Sequence, residues 1–218
     1  MRSLFAWLLS GLLLPACLFA QCTDQWVQQI SGLPTGNLAN SNPSLVIDME
    51  GNVVVSNVVV GADSIIADGQ IFPETNSFTP NSDFFIAKYN NVGELLWLKR
   101  IIGVRECGTL DMDVDELGNI YVGGIMQNSI NVDGTIIERP SESLPQPGYF
   151  ILKFSPLGIL QWHHKGDWKG SRCYRLDWTG SDLAFVIPYS DSVSIGGQVF
   201  HSDDELWYQD MVFGKLDT

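Results

Sequence analysis

A stretch of this chain recurs, and the recurrence limits the fold more than any other feature. "SDFFIAKYNNVGELLWLKR" (82–100) lies over "PGYFILKFSPLGILQWHHK" (147–165) without a gap. Phe85/Phe150, Ile86/Ile151, Lys88/Lys153, Gly93/Gly158, Leu95/Leu160 and Trp97/Trp162 are identical pairs. "QDMVFGKLDT" starts a third copy at Lys215. A second block repeats as well: "NIYVGGIMQNSINVDGTII" (119–137) lies over "DLAFVIPYSDSVSIGGQVF" (182–200), and "NVVVSNVVVGADSIIADGQIF" (52–72) matches both with two extra residues. A turn precedes each copy: "DMEGN" (48–52), "DELGN" (115–119) and the weaker "DWTGSD" (177–182). A self-similar period of about 65 residues means stacked copies of one supersecondary unit.

The pattern within a unit predicts four strands. "SLVIDM" runs into Asp-x-x-Gly-Asn and returns as "NVVVSNVVV", a tight hairpin, because Asp, Asn and Gly tolerate left-handed backbone. A long polar loop is expected next, then "FFIAKY", a short turn at Gly93 or Gly158, and "ELLWLKRI". Val, Ile, Phe, Tyr and Trp dominate, apolar on successive residues instead of alternating, and no helical period competes. Four antiparallel strands buried on both faces and stacked side to side describe the blades of an all-β β-propeller. Leu95 and Trp97, like Leu160 and Trp162, should face one side of the outer strand and pack on an adjacent blade. Lys88, Lys153 and Lys215 read as stems whose ammonium reaches water or a nearby Asp.

The units run roughly over 33–102, 103–167 and 168–218. "DQWVQQISG" (24–32) matches "LLWLKRIIG" (95–103), a Trp strand of the kind that completes a blade. Three repeats fall short of the usual four to eight blades. The expectation is therefore an incomplete, open propeller, able to add further blades or to self-associate.

The motifs quoted above, Asp-x-x-Gly-Asn-x-(Tyr/Val)-Val, then Phe-(Ile/Phe)-x-Lys-(Tyr/Phe), then Gly-x-Leu-x-Trp, resemble the bacterial β-propeller repeats known as SBBP repeats. The resemblance covers nearly all of the chain after its first twenty residues. It implies a propeller in an exported, often surface or secreted, bacterial protein, and it supplies no catalytic residues to carry over.

Export is also expected from "MRSLFAWLLSGLLLPACLFA" (1–20): one cation at Arg2, an apolar run, Pro15, and small Ala20 before Gln21. That is the layout of a secretory signal peptide, too short for a good membrane span. "LPAC" offers a lipoprotein reading through Cys17, weakened by Pro15. The remainder is long enough for one sizeable core. A net charge of −13 excludes a nucleic-acid partner, which needs a basic face. No other segment could span a membrane.

No catalytic, cofactor or metal residues are assigned. Asp111, Asp113 and Asp115 alternate as in an EF-hand, but Glu116 stands where the loop needs Gly and Val122 where it needs Glu. His163 and His164 are adjacent on a strand and point to opposite faces; His201 falls in a distant loop. Asp203–Asp204 reads as a solvated loop pair. Cys107 and Cys173 share a Cys-x-x-Leu-Asp frame, so a bridge between neighbouring units is conceivable, and with Cys22 the odd count leaves one thiol over. The expected role is a non-enzymatic ligand-binding or scaffolding module for an extracellular protein or glycan, with no cofactor. Its long loops (62–82, 127–147, 190–208) would carry binding. The alternatives are the propeller part of a glycan lyase or hydrolase, and a structural spacer in a larger surface protein.

Overall fold

The structure is a computed structural model that describes residues 26–33, 37–38, 43–60, 64–73, 82–140, 147–167, 175–202 and 210–217. Residues 1–20, Cys22, Cys173 and Asp203–Asp204 lie outside them. Every regular element among the described residues is a β-strand, and all pairings are antiparallel. No helix among them is long and apolar enough to cross a membrane.

The chain opens with β1 (Ile30–Leu33) and the short β2 (Asn37–Leu38). The first unit follows as β3 (Ser44–Ile47), β4 (Val53–Val60), β5 (Ser64–Ala67), β6 (Gln70–Pro73), β7 (Ser82–Tyr89) and β8 (Leu95–Val104). The second supplies β9 (Cys107–Val114), β10 (Ile120–Met126), β11 (Ser129–Val132), β12 (Thr135–Glu138), β13 (Gly148–Phe154) and β14 (Leu160–Asp167). The third supplies β15 (Arg175–Trp178), β16 (Asp182–Tyr189), β17 (Ser192–Ile195), β18 (Gln198–His201) and β19 (Asp210–Asp217).

The first unit pairs in the order β3-β4-β7-β8, the second β9-β10-β13-β14, and the third β15-β16-β19. The loops expected to be irregular are only partly so. Each carries a two-stranded hairpin, β5–β6, β11–β12 or β17–β18. Asp68-Gly69, Asp133-Gly134 and Gly196-Gly197 all have positive φ, the type I′ turn that suits the right-handed twist of a hairpin. For the same reason His201 lies in a strand, exposed on β18, and not in a loop.

These hairpins knit neighbouring units together. β11 pairs with β8 of the preceding unit, with Gly103 opposite Ile130. β1 pairs with β5 in the same register, with Gly32 opposite Ile65. β1 therefore stands to the first unit as β8 stands to the second.

The core lies between successive sheets. Val54, Val58, Phe84 and Ile86 of the first unit meet Met112, Ile120, Val122, Phe150 and Leu152 of the second. Phe84 stacks on Phe150, centroids 5.5 Å apart. The opposite face of the second unit, Tyr121, Tyr149 and Ile151, meets Leu176, Leu183, Phe185 and Ile187 of the third. Alternate residues on one strand thus serve two different cores, which is why β7, β10 and β13 are apolar on both faces.

Candidate functional site

The Asp-x-x-Gly-Asn turn is built by its first residue. Asp48 Oδ1 accepts from the backbone N–H of Glu50 at 3.0 Å and of Asn52 at 2.9 Å, while Oδ2 accepts from Asn52 Nδ2 at 2.9 Å. Asp115 repeats this with Leu117, Asn119 and Asn119 Nδ2. In the third copy the capping position is Thr179, not Asp177: Thr179 N–H donates to the Asp182 carbonyl and its Oγ1 accepts from Asp182 N–H. Thr can hold a turn through its hydroxyl, so the copy looked weak in sequence while its hairpin survived.

The three equivalent lysines have three different partners. Lys88 Nζ lies 2.8 Å from Asp48 Oδ2, and the two side chains are only 4% and 3% exposed. Burial raises the Asp48 pKa, but Lys88 and Asn52 outweigh it and the carboxyl sits below its ordinary value. In the second unit Tyr121 replaces Val54 opposite the lysine, and its hydroxyl donates to Asp115 Oδ2 at 3.1 Å. Lys153 instead sits over the Tyr121 ring, 5.1 Å from its centroid, a cation–π contact. Lys215, exposed, reaches Asp182 at 3.3 Å. A row of lysines sharing one ligand is not what the fold forms.

The alternating aspartates are inter-unit ties. Asp111 Oδ2 accepts from Leu176 N–H at 2.8 Å, and Asp113 Oδ2 accepts from Trp178 N–H, so β9 is fastened to β15. Burial raises the Asp111 pKa against these bonds. With Asp115 occupied at its turn, the three carboxylates do not converge, and no cluster able to hold a metal occurs among the described residues.

His163 is exposed and His164 half-buried, on opposite faces as the strand period requires. His164 Nε2 lies 3.0 Å from Tyr149 Oη, whose hydroxyl donates to the Ser194 carbonyl at 3.1 Å. Because that proton is committed, His164 is the donor to Tyr149. Burial first, then His163, lowers the His164 pKa, and burial raises that of Tyr149. Cys107 is a buried free thiol donating to the Ser82 carbonyl, with its pKa pushed well up by burial and then by Asp83 and Glu106. It is not bridged to Cys173.

The recurring Trp has a definite receptor. Trp97 Nε1 donates to the Pro156 carbonyl at 3.1 Å, and its ring covers Gly158, where a Cβ would stand 3.2 Å from ring carbons. Trp26 does the same one unit earlier, donating to the Asn91 carbonyl at 3.2 Å and covering Gly93. Gly93 and Gly158, with φ of 85° and 77°, thus serve twice, as turn and as seat for the preceding unit's Trp. Trp162 has a different setting, tilted against Tyr121 at 6.1 Å.

Two contacts had no clear sequence signal. Trp178 stacks on Tyr121 at 5.4 Å and donates to Glu116. Arg100 donates through Nε and Nη2 to Asp83 Oδ2, each at 2.8 Å. Position 83 is Gly148 in the next copy, so repetition could not reveal this pair. The hairpins were legible, since Asp-Gly between apolar runs is a strong local signal.

Two clefts remain. One, of about 220 Å³, lies between successive hairpins and is lined by Pro73, Arg100, Ile102, Asn131, Asp133 and Gly134. Lys99 pairs with Asp133 at its edge. The other, of about 120 Å³, lies between the first two Asp turns and includes Asp48, Lys88, Glu50 and Glu116.

No protein-family model matches the chain. It is similar to a WD repeat-containing protein. That relative, an uncharacterized protein of Acanthamoeba polyphaga mimivirus, is 32% identical over 89 residues, 37% of this chain. The chain spans only 6% of the relative's length.

Proposed function

We propose that the chain is a β-propeller-type repeat module, of the kind the bacterial SBBP repeats represent, that binds or scaffolds other molecules outside the cell and is not an enzyme. The all-β repeat and the similarity to a WD repeat protein favour the architecture, since WD repeats form four-stranded propeller blades. Each sheet would be one blade, with the Trp-on-Gly contact and the hairpin-to-outer-strand pairing as its joints. The carrying observation for binding is the row of hairpins, which presents the 220 Å³ cleft with Asn131, Asp133 and Arg100 on its wall. Small polar-lined clefts on rigid strands suit recognition of a hydroxyl-rich or peptide ligand. Tyr149 and His164 are engaged with each other and with the Ser194 carbonyl, which favours a packing role for them over acid–base work.

The test is a glycan array and an extracellular-protein panel probed with the purified chain, followed by calorimetry on the hits. A ligand whose affinity falls at least tenfold with Asn131→Ala or Asp133→Ala supports the reading. Turnover of a glycan that disappears with His164→Gln would replace it with the enzyme reading.

A further inference from the structure

The internal joints define what each face of a unit is for. On the second unit one face receives the preceding unit and the other receives the next. The outermost faces can be read against that template. Leu45 and Ile47 on β3 occupy the positions of Met112 and Val114 on β9 and of Leu176 and Trp178 on β15. Met112 and Leu176 are each 4% exposed because a preceding unit covers them, whereas Leu45 and Ile47 are 60% and 59% exposed. At the other end Met211 and Phe213 on β19 are 66% and 76% exposed. Their equivalents Phe84 and Ile86 on β7, and Tyr149 and Ile151 on β13, are buried under the following unit.

The strands are complementary in the same sense. β19 pairs with β16 along one edge and, among the described residues, with no strand along the other. On β7 and β13 that second edge holds β8 and β14, the Trp-bearing strands. β1 (Ile30–Leu33) holds the place of such a strand, and the Trp lies in the residues just before it, "WVQQ" (26–29), which are without strand pairing. β1 is paired with β5 on one side and, among the described residues, with nothing on the side where β8 meets β7.

We propose that these two faces dock between copies of this chain, head to tail, with β1 of one copy adding to β19 of the other. The β7–β8 register fixes the fit. Lys88 opposite Trp97, and Phe85 opposite Arg100, translate to Lys215 opposite Trp26 and Val212 opposite Gln29 of the second copy. Met211 and Phe213 then meet the second copy's Leu45 and Ile47 side, apolar on apolar, as the second unit meets the third. The joint formed in this way repeats the contact that the second unit makes with the third.

The full chain, with and without residues 1–20, is examined by sedimentation velocity and light scattering. A mass twice that of the single chain is expected, and a monomer at high micromolar concentration overturns the proposal. Phe213→Asp and Leu45→Asp each put a charge on one already exposed position. Each variant alone should weaken association at least tenfold, with a melting curve that matches wild type at dilutions where both are monomeric, and an equimolar mixture of the two should recover a heterodimer. Mixing rescues only a head-to-tail joint, in which one variant keeps the face the other lacks, so no recovery means the two faces do not meet. In the Gln29→Cys/Val212→Cys variant, oxidation should give an interchain disulfide, since opposed strand residues lie within bridging distance. An internal bridge in a monomer would mean the chain closes on itself, and would overturn the second copy as the occupant.

Discussion

Trp97→Ala tests the joint between units most directly. A fully buried Trp removes 150–250 Å² from water, about 4–6 kcal/mol at 25 cal/mol per Å². Trp97 is only partly buried against the first core, so about half of that applies, roughly 2–3 kcal/mol. Losing the bond from Nε1 to the Pro156 carbonyl adds about 1 kcal/mol. The expected cost is therefore about 3–4 kcal/mol. Trp97→Phe, which keeps most of the ring contact with Gly158, should cost about 1–1.5 kcal/mol. Trp162→Ala should cost less than Trp97→Ala, about 1–2 kcal/mol, because among the described residues its ring covers no turn glycine of a following unit. Sequence alone gave the two tryptophans the same role; the structure separates them. Urea unfolding followed by far-UV circular dichroism is the assay, since it does not depend on the indole removed. A Trp97→Ala loss below about 1 kcal/mol, or equal losses at both positions, would refute the seat-and-ring account.

Lys88→Met leaves Asp48 buried without its partner and should cost about 3 kcal/mol at neutral pH in a urea melt. Asp48→Asn in the same chain should return part of it, and a double variant no more stable than the single one would remove the ion pair from the account. The His164 pKa is lowered in the fold from its ordinary 6.5, so the unfolded chain takes up a proton first. Stability should be intact above pH 6.5 and be lost as pH falls through the folded value, and this acid slope should flatten in His164→Gln; an unchanged slope counts against it. Cys107, buried with its thiol pKa pushed up, should react with a disulfide reagent only on unfolding, and rapid labelling of Cys107, mapped by peptide mass in the native protein, would contradict its packing.

The strands and their turns were legible because their causes are local. Asp48 and Asp115 cap a turn from within four residues, Gly93 and Gly158 supply positive φ where the chain reverses, and strand residues alternate faces with a fixed period of two. The same local chemistry spoke for the hairpins at Asp68-Gly69 and Asp133-Gly134, where polarity had suggested irregular loop. Repetition also told which residues are equivalent. It could not tell what each equivalent residue touches, because partners come from another unit about 65 residues away, where one substitution redirects a contact. Tyr121 in place of Val54 moves Lys153 off a carboxylate and onto a ring; Thr179 in place of Asp moves Lys215 to Asp182. Asp111 and Asp113 alternate along the chain without completing a calcium loop, and what they do instead is accept N–H groups from β15, a strand that only packing brings alongside. Sequence fixes the unit, since backbone conformation answers to neighbouring residues. Tertiary structure decides the joints, since burial and hydrogen bonding there depend on residues that meet only when whole sheets stack.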